Sequence, residues 1–203
     1  MIVLKMAASA LAGLVMTGVA DAAPEPGKPA PDFAATDSNG NTVRLSDFRG
    51  KIVVLEWTND GCPYVQKHYN SGNMQSLQRE ETGRGVIWLT VISSAPGTQG
   101  YVDGREANAL TKSRDAAPTE VLLDPEGKVG HLYRARTTPH MFVVSKDGTL
   151  AYMGGIDDKP TTNPADIGTA KNYVRAAVEE VMAGKTVEQA VTRPYGCSVK
   201  YGS

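Results

Sequence analysis

Trp57-Thr58-Asn59-Asp60-Gly61-Cys62-Pro63-Tyr64-Val65 is the stretch on which the reading of this chain turns. Strand-forming residues, Ile52-Val53-Val54-Leu55-Glu56-Trp57, run into a short polar turn, and the turn ends on Cys62. Pro63 follows, which suits a first helical position because its missing N–H would be unpaired there anyway. A helical pattern begins at once, with Val65 and Tyr69 on one face. The thiol is thus placed just past the carboxyl end of a buried strand and at the positive end of a helix. Unpaired N–H groups of a first turn stabilise negative charge, so this is a place where a cysteine becomes a reactive thiolate. The rest of the chain reads as scaffold, partner or substrate surface for Cys62.

Length and composition set the frame. The chain has 203 residues, 41% hydrophobic and 21% charged, with a formal net charge of -1. These values fit one soluble globular domain with decorations. With a near-neutral charge and no basic run, nothing points to a nucleic-acid partner or to an anionic membrane surface. At the start, Lys5 is followed by an apolar run over Met6–Ala20, and Ala20-Asp21-Ala22 has small residues flanking one variable position. This is the pattern of a secretory signal peptide over residues 1–22. The apolar run falls short of the roughly 20 residues a span requires. We therefore expect an exported protein, most simply bacterial and periplasmic, with no stable membrane anchor after cleavage. In an oxidising compartment two cysteines allow one disulfide, Cys62 with Cys197. Three scattered histidines and two cysteines match no zinc spacing, and no cofactor is expected.

The remaining chain divides into an extended proline-rich lead-in (23–31), a domain (32–185) and a tail (186–203) carrying Cys197. Asn39-Gly40 between two strand-like runs predicts a hairpin ribbon. A kinked helix, or two short ones, should end near Gly83. Val86–Ile92 is continuously apolar, as expected of a strand covered on both faces. A helix from about Gly104 to Asp115 with Asp103 as cap, a strand at Thr119–Leu123 and a helical stretch at Lys128–Ala135 come next. Thr137-Thr138-Pro139 then leads into a hairpin turned by Asp147-Gly148. After a long polar loop comes the strongest helix, about Thr169–Ala183, with rows Tyr173/Ala177/Val181 and Val174/Val178/Met182. Thr186-Val187-Glu188-Gln189 has the capping-box pattern of one more short helix, and the tail beyond should be flexible. Strands alternating with helices, closed by a hairpin and a helix, predict an α/β fold with a mixed central sheet flanked by helices and an N-terminal β-ribbon.

This order, with a cysteine opening the first core helix and Thr-Pro before the hairpin, resembles the thioredoxin fold. PGKPAPDF and LSDFRGK resemble the alkyl hydroperoxide reductase and thiol-specific antioxidant branch. CPYV, TPHMFVVSKDG, GGIDD and the terminal PYGCSVKY resemble a peroxiredoxin-like group of exported redoxins. The resemblance spans about Gly27 to Tyr201. It implies that Cys62 is the attacking cysteine and that Cys197 corresponds to the group's terminal cysteine. It also implies that Pro139 is a cis-proline, with the Thr138 backbone beside the sulfur as a docking edge. Two positions depart from the parent patterns. Val65 stands where thioredoxins have a second cysteine. Thr58 lies four residues before Cys62, where peroxiredoxins have a threonine three before, and no arginine is assignable to a peroxide pocket.

The resemblance implies an enzyme, a thiol–disulfide oxidoreductase or antioxidant redoxin, with Cys62 as nucleophile and Cys197 as resolving cysteine. Its substrate would be a protein or small-molecule disulfide, or a peroxide, and its electron donor an unidentified thiol. Thr138, Pro139, Pro63, Trp57 and Tyr64 are the expected positioning residues. Three alternatives stay open: a thiol peroxidase, a copper-binding or assembly protein using Cys62 with His68 or His140, and a non-enzymatic module with a structural Cys62–Cys197 bond. Such a bond closes a very long loop and would contribute roughly 4–5 kcal/mol in the chain-entropy model.

Overall fold

The structure is a computed structural model and describes residues 23–202. The signal-peptide reading over residues 1–22 lies outside the described residues. Strand formers on either side of Asn39-Gly40 make the ribbon, β1 (Ala34–Asp37) antiparallel to β2 (Thr42–Arg44). Asp37 closes the turn by accepting the Asn39 and Asn41 N–H groups, each at 2.8 Å. Leu45–Phe48 forms one 3-10 turn before the central strand β3 (Val53–Trp57). Helices α1 (Pro63–Asn70) and α2 (Asn73–Gly83) follow, broken at Gly72, whose φ of +75° no helix interior accepts. Then come β4 (Ile87–Ile92), α3 (Gly104–Ser113), β5 (Glu120–Leu123) and α4 (Lys128–Leu132). A two-residue strand β6 (Thr137–Thr138) precedes the hairpin β7 (His140–Val144) and β8 (Leu150–Gly154). Helix α5 (Tyr173–Met182) and a short tail strand β9 (Cys197–Ser198) complete the chain.

Seven strands form one mixed sheet in the order β2-β1-β5-β4-β3-β7-β8. β3 and β4 are parallel, as are β4 and β5, whereas β7 runs antiparallel to β3. Alternation along β3 sorts its side chains to two cores. Val53, Leu55 and Trp57 join Tyr133, Phe142 and Val199 on one face. Val54 joins Cys62, Val65, Tyr69, Leu77, Trp88, Val174 and Val178 on the other, under α1, α2 and α5. Each fully buried Leu or Val of these layers contributes about 1.5–3 kcal/mol. The fold expected from the sequence is the one found, a thioredoxin-like α/β fold with an N-terminal ribbon.

Four local expectations are corrected. The predicted helix at Thr186–Gln189 is a turn, because the chain there bends so that Ala190 can accept the Met153 N–H at 2.9 Å. Helix α5 starts at Tyr173 rather than Thr169, since Asn172 caps it by accepting the Arg175 N–H at 2.9 Å. The polar loop before it contains a 3-10 helix, Pro164–Thr169, capped by Asn163. Finally, the tail forms β9 and is anchored beyond it. The Val199 N–H donates to the Arg136 carbonyl at 3.1 Å, the Ala95 N–H to that of Lys200 at 2.8 Å, and the Tyr201 hydroxyl to that of Ala135 at 2.8 Å.

Candidate functional site

Cys62 is the N-cap of α1, in extended backbone (φ −85°, ψ 121°), with Pro63 at the first helical position. Its carbonyl accepts the Gln66 N–H at 2.9 Å, and its own N–H closes the preceding turn on the Asn59 carbonyl at 3.0 Å. The Asn59 side chain shapes that turn, accepting the Gly61 N–H and donating to the Gln99 carbonyl, both at 2.9 Å. The thiol itself is fully buried and donates to the Thr138 carbonyl at 3.1 Å. The Thr138–Pro139 peptide is cis.

Cys197 meets Cys62 across that same carbonyl strand. β9 pairs antiparallel with β6, with Cys197 opposite Thr138 and Ser198 opposite Thr137. The two thiols are close enough to act on one another, and their surroundings push them in opposite directions. Burial by itself would raise the Cys62 thiol. The Cys197 thiol, the Val65 and Cys197 N–H groups and the Thr138 side chain outweigh it, and its pKa falls below the ordinary thiol value. Cys197 is partly exposed, and burial followed by the contact with Cys62 pushes its pKa up to about 11. In the pair, Cys62 is the sulfur that gives up its proton more readily and Cys197 the one that keeps it.

Residues 26–153 match the AhpC/TSA family. The chain belongs to the AhpC/TSA family. As a redoxin of that family it is similar to the thiol-disulfide oxidoreductase ResA of Bacillus thuringiensis, 27% identical over 126 residues that cover 62% of this chain and 67% of the relative. Among solved structures, a hypothetical protein from Sinorhizobium meliloti superposes with a TM-score of 0.74 at 23% identity, covering 90% of this chain and 97% of its own. An exposed lipoprotein thioredoxin from Streptococcus pneumoniae superposes with a TM-score of 0.51 at 25% identity, covering 73% and 99%.

Within this redoxin the fold brings together Cys62, Pro63, Thr138, Pro139 and Cys197, and adds Tyr64 at the margin. The Tyr64 ring stands edge-on to Tyr195, 5.9 Å between centroids. Trp57 is not brought to the thiol. Strand alternation turns it to the opposite core, where it packs on Tyr133 and Phe142 and donates to the Ser93 hydroxyl at 3.0 Å. His140 follows it: its ring lies 4.5 Å from that of Phe142. Burial, then the Arg136 charge, lowers its pKa to about 3, so it is neutral. His68 is buried under the tail instead, its Nε2 3.3 Å from the Tyr195 hydroxyl and its Nδ1 2.8 Å from the Asn73 amide. Both histidines are thus enclosed in packing, and no cluster of three His, Cys, Asp or Glu residues among the described residues could hold a metal ion. Thr58 opens onto a separate small pocket with Tyr69 and Arg114. Arg114 reaches the active loop but stops at Asp60, 2.6 Å away, and is not among the groups that act on Cys62.

Sequence reasoning missed two residues. Glu56 is fully buried on β3 and gathers the Tyr69 hydroxyl (2.8 Å), the Trp88 indole N–H (2.8 Å), the Gln78 amide (3.1 Å) and the Thr90 hydroxyl (3.2 Å). Burial raises its pKa despite those bonds. Its signal was an acid inside an otherwise apolar strand. Tyr195 is the second. Its hydroxyl donates to Asp157, and Asp157 faces Lys67 at 3.7 Å. No local pattern sets its role, because its partners come from two distant segments, α1 and the loop after β8.

Proposed function

We propose that this redoxin is an exported thiol–disulfide oxidoreductase whose redox couple is Cys62 and Cys197. The contact between the two sulfurs, with their opposite electrostatic settings, carries this reading. Thiol–disulfide exchange needs a thiolate as nucleophile, and Cys62 is the sulfur of the two whose surroundings favour that form. Its thiolate attacks one sulfur of a disulfide, which releases a thiolate and leaves a mixed disulfide on Cys62. Cys197 loses its proton to the departing thiolate, attacks the Cys62 sulfur and releases the second half of the substrate. The protein is left with a Cys62–Cys197 bond, and a donor thiol restores it. The β6–β9 pairing supports this order, since it keeps Cys197 beside Cys62 without a long search by a free tail. The similarity to ResA-type oxidoreductases points the same way, and the signal-peptide pattern of residues 1–22 supports export.

Two measurements on the purified mature chain test the reading. Mild oxidation should give one intramolecular disulfide, mapped by mass to Cys62 and Cys197. Its reduction potential should lie well above the roughly -300 mV below which structural disulfides fall. Reduction of a small disulfide with dithiothreitol as electron source should be lost in Cys62→Ser. A potential below that value, or turnover unaffected by Cys62→Ser, sinks the proposal.

A further inference from the structure

The backbone edge beside the thiol is already occupied. An exposed strand edge is a template that an extended peptide can join through main-chain hydrogen bonds. Thr137–Thr138 lies against Cys62 and would be such an edge, but β9 pairs with it along its whole length. Gly196 makes this possible. Its φ is +138°, a conformation side chains disfavour, and a Cβ there would overlap the Thr138 carbonyl oxygen. The strand is secured on both sides. Before it, Tyr195 is bonded to Asp157 and His68 and packs on Tyr64. After it, Val199 and Lys200 make backbone bonds, and Tyr201 stacks on His131 with 4.0 Å between centroids. Cys62 is fully buried beneath. A cavity of about 530 Å³ lies on the outer side of the pairing, lined by Tyr64, Thr137, Asp158, Arg193, Tyr195 and Gly196.

We propose that Gly196–Ser198 is a built-in occupant of the docking edge and sets substrate specificity. Cys62 then exchanges with small disulfides, which need no edge to join, and disulfides carried on an extended polypeptide are rejected because their backbone finds the edge taken. This rests on the exchange chemistry proposed above. That chemistry balances as one external disulfide reduced to two thiols while Cys62 and Cys197 are oxidised to one disulfide. Dithiothreitol supplies the two electrons in the assay.

The test compares hydroxyethyl disulfide with insulin as substrates for the mature chain, each corrected for the uncatalysed reaction. The wild type should show a kcat/KM at least tenfold higher for hydroxyethyl disulfide. Gly196→Ala, which pushes β9 off the Thr138 carbonyl, should raise the insulin-to-small-disulfide ratio about tenfold or more. Tyr201→Ala loosens the strand from its far side without altering the edge, and carries the same comparison if Gly196→Ala does not fold. Equal wild-type efficiency on the two substrates, or an unchanged ratio in a folded variant, overturns this inference and leaves the exchange chemistry standing. Failure of the wild type to reduce either substrate overturns both.

Discussion

Cys62 and Cys197 are the same side chain in two settings. The helix start, the Val65 and Cys197 N–H groups and the neighbouring thiol favour the charged form of Cys62, whereas Cys197 feels burial and a neighbouring negative sulfur. Alkylation of reduced protein by a small reagent should therefore show a midpoint for Cys62 below that of an ordinary thiol. Cys197→Ala removes one of the favourable bonds and should move that midpoint upward; a profile that does not change would mean that the helix start acts alone. Acid sensitivity belongs to this scale too. Burial comes first among the causes that lower His68 to about 4 and His140 to about 3. Both are free to protonate in the unfolded chain near 6.5 but resist it when folded. The unfolded state thus binds more protons in this window, and stability falls as pH drops. Urea denaturation should show a loss approaching about 1.4 kcal/mol per pH unit for each histidine between pH 6.5 and 4. His68→Gln should flatten that slope.

Helices and strands are joined here by one buried carboxyl. Glu56 on β3 links α1 through Tyr69, α2 through Gln78 and β4 through Trp88 and Thr90. Glu56→Ala strands several buried donors at once and should cost on the order of 3–5 kcal/mol in chemical denaturation. Glu56→Gln should cost far less, about 1–2 kcal/mol, because the amide oxygen keeps most of the donors and its NH₂ group can be accepted by a redirected Tyr69 hydroxyl. Equal losses in the two variants would show that volume rather than hydrogen bonding holds these elements. Helix α3 offers a cleaner case. Asp103 and Glu106 form a reciprocal box with both bonds at 2.8 Å, and Asp103→Ala should cost about 1 kcal/mol. The Asp103 cap was legible in the sequence because it stands directly before the helix it caps, whereas the return bond from Glu106 came only with the structure.

Across the whole molecule the tail closes the fold over Cys62. It returns from α5, pairs with β6 and ends against α4, so oxidation would tie two distant points of the chain that already touch. Converting the pair to a disulfide should stabilise the protein by up to about 4–5 kcal/mol in the chain-entropy model. Because the sulfurs are neighbours before oxidation, little rearrangement opposes that gain. Denaturation of the reduced and oxidised forms, side by side, measures it. Equal midpoints would show that the tail's own contacts hold it as firmly as the bond does.

The order of elements, the ribbon, the position of Cys62 and the Thr-Pro before the hairpin were all readable in the chain. Each depends on residues close in sequence: a strand run, a proline at a helix start, Asn-Gly and Asp-Gly turns. Only the tertiary structure decided which face each side chain of β3 serves, and that placed Trp57 in the far core and made Glu56 a hub. It also turned a tail expected to be flexible into a strand. Nothing in Pro194-Tyr195-Gly196-Cys197-Ser198 alone predicts pairing, because two-residue strands have no periodicity to read. Their stability comes from an edge at Thr137–Thr138, from anchors on α1, α4 and the loop after β8, and from a glycine whose lack of a side chain matters only beside the Thr138 carbonyl.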